Sequence, residues 1–230
     1  MNIRKILFYV LAGILGGCVP VVSLHPLYTQ NDVVFDERLT GDWVDVNEKT
    51  TWQFTRPDKE EKFYMLTYCD DENKKGLFAV QLVKLTCLDE TKSKREDKFF
   101  LDGAAVQVPY DSNDPNNAQQ LPYNSFFIIP VHIFAIVDSF EPQLRLRLTD
   151  DEQMKDMLEE KPEAIKSESV DGRIILTAST EELQKFVLKY ADSNELFVKA
   201  AALDRKKISD SNEANISNEL KKSGRDGKQN

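Results

Sequence analysis

Cysteine and histidine, which often act as nucleophiles, bases or metal ligands, are scarce in this chain, whereas its 39 carboxylates are plentiful. The 230 residues include three cysteines and two histidines. His25 lies near the N-terminus and His132 in an apolar strand, so no histidine pair has metal-ligand spacing, and we interpret His132 as a core residue. The sequence contains no Gly-x-Ser-x-Gly, phosphate-loop or Gly-x-Gly-x-x-Gly motif. It therefore indicates neither an enzyme nor a bound cofactor or metal.

The cysteine with the most specific surroundings is Cys18. A charged start containing Arg4 and Lys5 precedes an apolar segment, 6–15, which is too short to span a bilayer of about 30 Å. The stretch Leu15-Gly16-Gly17-Cys18 resembles the lipobox of bacterial lipoproteins. The resemblance implies cleavage between Gly17 and Cys18, a diacylglycerol on the Cys18 thiol, and a further acyl chain such as palmitate on the new amine.

Lipidation of this kind predicts where the protein resides. Two or more acyl chains hold a protein stably on a membrane without a transmembrane helix. In lipoproteins an aspartate directly after the cysteine often causes retention in the inner membrane, and Val19 occupies that position here. The resemblance therefore implies the outer membrane of the cell envelope. Loss of residues 1–17 moves the net charge from -9 to -11, and an acidic surface excludes nucleic acid as a partner.

Composition along the chain predicts one folded domain with extensions. We expect a signal peptide at 1–17, the lipidated cysteine and a tether at 18–38, a single β-rich domain at 39–205, and a flexible polar tail at 206–230. The tail has too few large apolar residues to offset the entropy of ordering. The loop 110–124 is rich in Asn, Asp, Pro and Gln, and it is a candidate for a surface contact.

Short apolar runs separated by turn residues predict a mainly β, α+β fold. We expect an antiparallel meander that closes as a barrel or forms a strongly curved sheet, with two amphipathic helices packed on it. The expected strands lie near 42–47, 50–56, 62–69, 76–85, 98–107, 126–138, 143–149, 173–178 and 196–204.

Two of these runs also predict which faces are covered. Leu144, Leu146 and Leu148 alternate with Arg145 and Arg147, which predicts one dry and one wet face. The run 126–137 is apolar in both parities, which predicts a strand covered on both sides, and Pro130 marks a bulge or kink.

Two helices are predicted from capping boxes followed by apolar stripes. Thr149 with Glu152 and Ser179 with Glu182 have capping-box spacing. The stripes that follow should dock on the sheet, and they consist of Met154, Met157 and Leu158 in the first helix and of Leu183, Phe186, Val187 and Tyr190 in the second.

The stretch 35–43, which ends in Gly41-Asp42-Trp43, resembles the opening of lipocalins and related calycin barrels. The resemblance implies a short helical turn before the first strand, with Trp43 closing one end of the barrel and Arg205 stacked across it. The two predicted helices interrupt the later strands where a lipocalin runs from strand to strand. The opening "SLHPLYT" followed by Gly-x-Trp is also similar to a group of uncharacterised bacterial lipoproteins.

Two functions fit this prediction. Trp52, Phe54, Phe78 and Phe134 could line a barrel cavity that binds an apolar small molecule, which would make the protein a membrane-anchored carrier. Alternatively the same aromatics fill a solid core, and the protein is a structural or accessory component that binds another envelope protein. The free volume inside the barrel separates the two functions.

The remaining cysteines, Cys69 and Cys87, are expected to be unpaired. A hairpin formed by 62–69 and 76–85 would separate them by on the order of 30 Å, far beyond the Cα separation of about 7 Å that a disulfide allows.

Overall fold

The computed structural model describes residues 21–89, 94–106 and 129–206. Gly17 and Cys18, the loop 110–124 and the tail beyond Lys206 lie outside the described residues. The α-helices are α1 (Asp151–Glu160) and α2 (Thr180–Tyr190), and 3-10 turns occupy Glu37–Leu39 and Pro162–Ala164. The strands are β1 (Val22–Ser23), β2 (Val33–Val34), β3 (Gly41–Asp45), β4 (Thr50–Thr55), β5 (Phe63–Cys69), β6 (Lys75–Asp89), β7 (Lys94–Ala105), β8 (His132–Ser139), β9 (Leu144–Thr149), β10 (Ser167–Val170), β11 (Arg173–Leu176) and β12 (Phe197–Arg205).

Eight of these strands close into an antiparallel barrel. Strands β3 to β9 pair in sequence order, and β12 closes the ring between β9 and β3. The prediction of a mainly β barrel with two amphipathic helices is confirmed. Helices α1 and α2 lie in the connection between β9 and β12, which explains why the last strand comes so late in the chain.

Alternation along the strands divides the core into two layers. Side chains of one parity point into the barrel, and those of the other parity point outward, where the helices and the N-terminal segment cover part of the wall. Strand β8 contributes to both layers, because Ala135 and Val137 face inward while Phe134 and Ile136 face the helices. The prediction that this strand is covered on both sides is confirmed for residues 134–137. It is wrong for Ile129 and Pro130, which are exposed and precede the strand, and residues 126–128 lie outside the described part of the chain.

The helix starts follow their capping chemistry. At α2 the predicted capping box is present, since Ser179 Oγ accepts from the Glu182 backbone N–H and the Glu182 carboxylate accepts from Ser179 N. At α1 the prediction is wrong by one residue. Thr149 is the buried last residue of β9, and Asp150 is the N-cap, with its side chain accepting from the backbone N–H groups of Glu152 and Gln153.

The segment predicted as a tether packs on the barrel from Val21 onward. We call residues 21–36 the strap. Strand β1 of the strap pairs with β8 and β11, and β2 pairs with β6. Val21 and Leu27 are only 1% and 0% exposed, because the outer face of the barrel offers them an apolar surface to cover.

Strands β10 and β11 extend the sheet beyond β1. They form a hairpin in which Val170 pairs with Arg173 across the two-residue turn Asp171-Gly172. Both turn residues have positive φ, 49° and 78°, as a type I′ hairpin turn requires. One strand was predicted in this region, at 173–178, and β10 was missed because Ser-Glu-Ser-Val has no apolar alternation.

Candidate functional site

Trp43 is buried in the barrel interior, next to the 3-10 turn that precedes the first barrel strand. The indole ring is 1% exposed, and its Nε1 donates to the Leu39 carbonyl at 2.9 Å, at the end of the 3-10 turn Glu37–Leu39. The guanidinium carbon of Arg205 lies 4.3 Å from the centre of the ring. The tryptophan on the first barrel strand thus contacts both the turn that precedes it and an arginine at the end of the last strand.

Arg205 also holds the segment that leads into the first barrel strand, residues 38–40. Arg205 donates to the Arg38 carbonyl at 2.7 Å and to the Thr40 carbonyl at 2.9 Å. Gly41 follows with a φ of +128°, and a Cβ on Gly41 would lie 2.6 Å from the Arg205 Nη1 atom. Glycine is favoured at position 41 because other residues rarely adopt this φ, and a side chain there would also crowd the Arg205 guanidinium.

The barrel interior is occupied by the protein's own side chains. Phe54 is 0% exposed, and the partly buried Trp52 and Phe78 pack against the same cluster. The other buried members of this interior cluster are Leu39, Trp43, Tyr64, Leu66, Val80, Leu82, Leu101, Ala135, Val137, Phe140, Leu144, Leu146 and Leu203. Trp52, Phe54 and Phe78 are thus brought together, as core residues of one filled interior.

The placement of Phe134 with these three residues is corrected by the structure. Phe134 pairs with Asp102 and belongs to the outer cluster that the helices cover. Because the odd and the even positions of this run are both apolar, the sequence indicates a strand covered on two sides. It does not indicate which set of side chains points into the barrel. The adjacent residue Ala135 supplies the inward side chain at this level.

A tyrosine couples the interior to the strap. The Tyr64 hydroxyl donates to the Asp36 carbonyl at 3.0 Å and accepts from the Asp36 backbone N–H at 2.7 Å. Burial raises the pKa of Tyr64 to about 12, so the hydroxyl stays protonated and continues to donate at physiological pH.

A buried carboxylate holds the strap on the outside of the barrel. Asp102 is 0% exposed, and its Oδ2 accepts from the Leu27 backbone N–H at 2.6 Å. Its Oδ1 lies 2.6 Å from His132 Nδ1. Tyr28 packs edge-on against His132, and its pKa is raised by burial and by the nearby Asp102 charge. Sequence reasoning found His132 as a core residue but did not find its partner.

The cluster of Asp102, His132 and Tyr28 is explained by its role in holding the strap, and the serine beside it is engaged in a hydrogen bond to the backbone. Ser23, the cross-strand neighbour of His132, is 0% exposed, and its hydroxyl donates to the His25 carbonyl at 2.8 Å. Within the described ranges, no three His, Cys, Asp or Glu side chains are grouped to hold a metal ion. Cys69 and Cys87 are free, half-buried thiols.

Arg147, predicted on the wet face of β9, is covered by the chain that leaves α2. Its guanidinium binds Asp138 through two hydrogen bonds of 2.7 and 2.8 Å, and this pairing raises the arginine pKa. It also donates to the carbonyls of Ala191, Ser193 and Phe197. One arginine thus ties the end of α2 and the start of β12 to the barrel wall.

A groove of about 600 Å³ lies outside the barrel, between the turn Pro162–Ala164, the start of β10 and one face of α2. Its charges come from Lys166, Lys185 and Lys189 and from Glu163, Glu168 and Glu182, and Lys166 pairs with Glu182 at 2.7 Å. Because three positive and three negative side chains line the groove, and two of them pair with each other, the charge of the groove favours no particular class of ligand.

Of the helices in the described part of the chain, none combines the length and apolar character needed to cross a bilayer.

Comparison with known proteins gives no relative. No family model, no curated protein and no solved structure matches this chain.

Proposed function

We propose that the protein is a lipid-anchored lipoprotein of the bacterial outer membrane with a solid barrel, and that it serves as a structural or accessory component of the envelope. The observation that carries the choice between the two predicted functions is the filled interior. Large side chains from the barrel strands, among them Trp43, Phe54 and Tyr64, form one contiguous buried cluster inside the barrel, and the partly buried Trp52 and Phe78 pack against it.

Barrel size supports this choice. An eight-stranded barrel is just wide enough for its own side chains to fill it, or for one small ligand where small residues leave room. Ligand sites for drug-sized molecules have volumes of about 300–1,000 Å³. Here three of the inward positions carry the fully buried rings of Trp43, Phe54 and Tyr64, which leaves the outer surface as the part of the domain that can bind a partner.

Membrane attachment in this proposal depends on the lipid. The net charge of -11 that remains after loss of residues 1–17 opposes electrostatic adsorption to anionic lipid, so acyl chains on Cys18 must supply the binding free energy. The Leu15-Gly16-Gly17-Cys18 motif is the feature that supports lipidation.

The anchor is tested by Cys18→Ser in the full chain. We expect the variant to lose lipid-dependent cleavage and to leave the membrane fraction, while the matched controls Cys69→Ser and Cys87→Ser keep the wild-type distribution. Detection would be by fractionation of cell envelopes and by the intact mass of the extracted protein. Undiminished membrane attachment of Cys18→Ser would overturn the proposal.

A further inference from the structure

We propose that the β10–β11 turn faces the phospholipid bilayer and that the barrel is held directly against the membrane surface. The inference rests on the proposed lipidation of Cys18. It concerns how the domain is oriented once it is anchored, and the partner is the headgroup region of a phospholipid bilayer.

The first step is the length of chain between the anchor and the fold. Val21 is three residues after Cys18, and it is 1% exposed in the outer cluster. Three residues span at most about 11 Å even when fully extended. A buried residue so close to the acylated cysteine keeps the domain from moving away from the bilayer, in contrast to a free tether of twenty residues.

The second step is the direction in which the chain leaves the fold. Strand β1 runs parallel to β11, with Val22 opposite Ile175 and Ser23 opposite Leu176. Moving back from Val22 toward Cys18 is therefore moving toward Arg173 and the β10–β11 turn. Val21 and Ile174, the preceding residues of the two strands, are buried in the same cluster. Val21, the first residue that the structure describes and the third after Cys18, therefore lies at the end of the sheet at which this turn lies.

The third step is the chemistry of the turn. Val170 is 50% exposed, and it pairs with the exposed Arg173, so their side chains lie on one face of the hairpin. A valine can enter the boundary between headgroups and acyl chains, and a guanidinium binds phosphate oxygens. Glu168 and Asp171 lie beside them, so the turn carries no excess of positive charge. The short connection to Cys18, rather than charge, determines that this face meets the membrane.

The test compares two exposed valines of the same chain. Val170→Cys and Val46→Cys are made separately in a Cys69→Ser, Cys87→Ser background and labelled with nitrobenzoxadiazole. Val46 is 68% exposed in the turn between β3 and β4, across the barrel from β8 and β1. The full lipidated proteins are added to vesicles of phosphatidylethanolamine and phosphatidylglycerol that contain a headgroup-spin-labelled lipid.

We expect the label at position 170 to be quenched several-fold more strongly than the label at position 46. A flexible Gly-Ser insertion between Val19 and Pro20 should reduce quenching at 170 to the level at 46 while membrane binding is retained. Equal quenching at both positions in vesicle-bound protein would overturn the orientation and leave the lipid anchor intact. If the protein with Cys18 does not float with vesicles, the anchor fails and the orientation fails with it.

Discussion

Removing the Asp102 carboxylate should release the strap from the barrel. The side chain is 0% exposed and receives two contacts of 2.6 Å, from the Leu27 backbone N–H and from His132 Nδ1. In Asp102→Ala the Leu27 amide loses its partner in a place that water does not reach, since Leu27 is 0% exposed, whereas the His132 side chain is 15% exposed and can be hydrated in part. A buried group left without a partner costs about 1–3 kcal/mol and the partly exposed imidazole costs less, so we expect the free energy of unfolding to fall by about 2–4 kcal/mol.

Two further variants calibrate this effect. Asp102→Asn should lose only about 1 kcal/mol, because its oxygen can accept from Leu27 while the imidazole changes tautomer and accepts from the amide. Asp42→Ala removes an exposed aspartate of β3 that accepts from Gln53, and it should change stability by less than about 0.5 kcal/mol.

Urea unfolding would measure the free energies, and hydrogen exchange would follow the Leu27 amide. We expect that amide to exchange much faster in Asp102→Ala than in the wild type, with the barrel strands less affected. A loss below about 1 kcal/mol, together with unchanged protection of Leu27, would refute the assignment of Asp102 as the residue that holds the strap.

Three other substitutions test separate parts of the structure. Arg205→Ala should lower stability by about 1–2 kcal/mol through the lost contact with Trp43 and two lost hydrogen bonds, as measured by urea unfolding; no loss would contradict this role. Glu182→Gln should destabilise the protein at neutral pH and progressively less as the pH falls from 4.5 toward 2. The reason is that the hydrogen bond from Lys166 and those at the helix N-cap lower the pKa of Glu182 from 4.5 to about 2. Glu182 therefore adds to the free energy of unfolding only while its carboxylate is ionised. A stability difference that does not change with pH would contradict this explanation. Phe54→Ala should cost about 3–5 kcal/mol and open a cavity that binds xenon, whereas a xenon site inside the wild-type barrel would show that the interior is not filled.

Local patterns were sufficient to predict most of the barrel. Leu144 and Leu146 alternate with arginines because β9 has one face toward the packed interior, and the structure buries both leucines. The Ser179 capping box located the start of α2 because its hydrogen bonds join residues only three positions apart. Such interactions can be recognised from sequence since both partners lie within one element.

Contacts between distant parts of the chain were not predictable in this way. Asp102 and the Leu27 amide are 75 positions apart, and nothing near Asp102 shows that a strap will cover it. Arg147 was expected in water because alternation identifies the face of a strand but not what packs on that face. Phe134 was assigned to the barrel interior because the odd and the even positions of its strand are both apolar, so the sequence could not distinguish the inner face from the outer one.

The most direct test of the central claim, that the barrel is filled by its own side chains, is native mass spectrometry of residues 19–230, exported with a cleavable signal and purified without detergent. The expected result is the mass of the polypeptide alone, with no thermal shift on addition of fatty acids or phospholipids. A stoichiometric adduct of lipid mass that disappears on denaturation would contradict the filled barrel and indicate a carrier of apolar ligands.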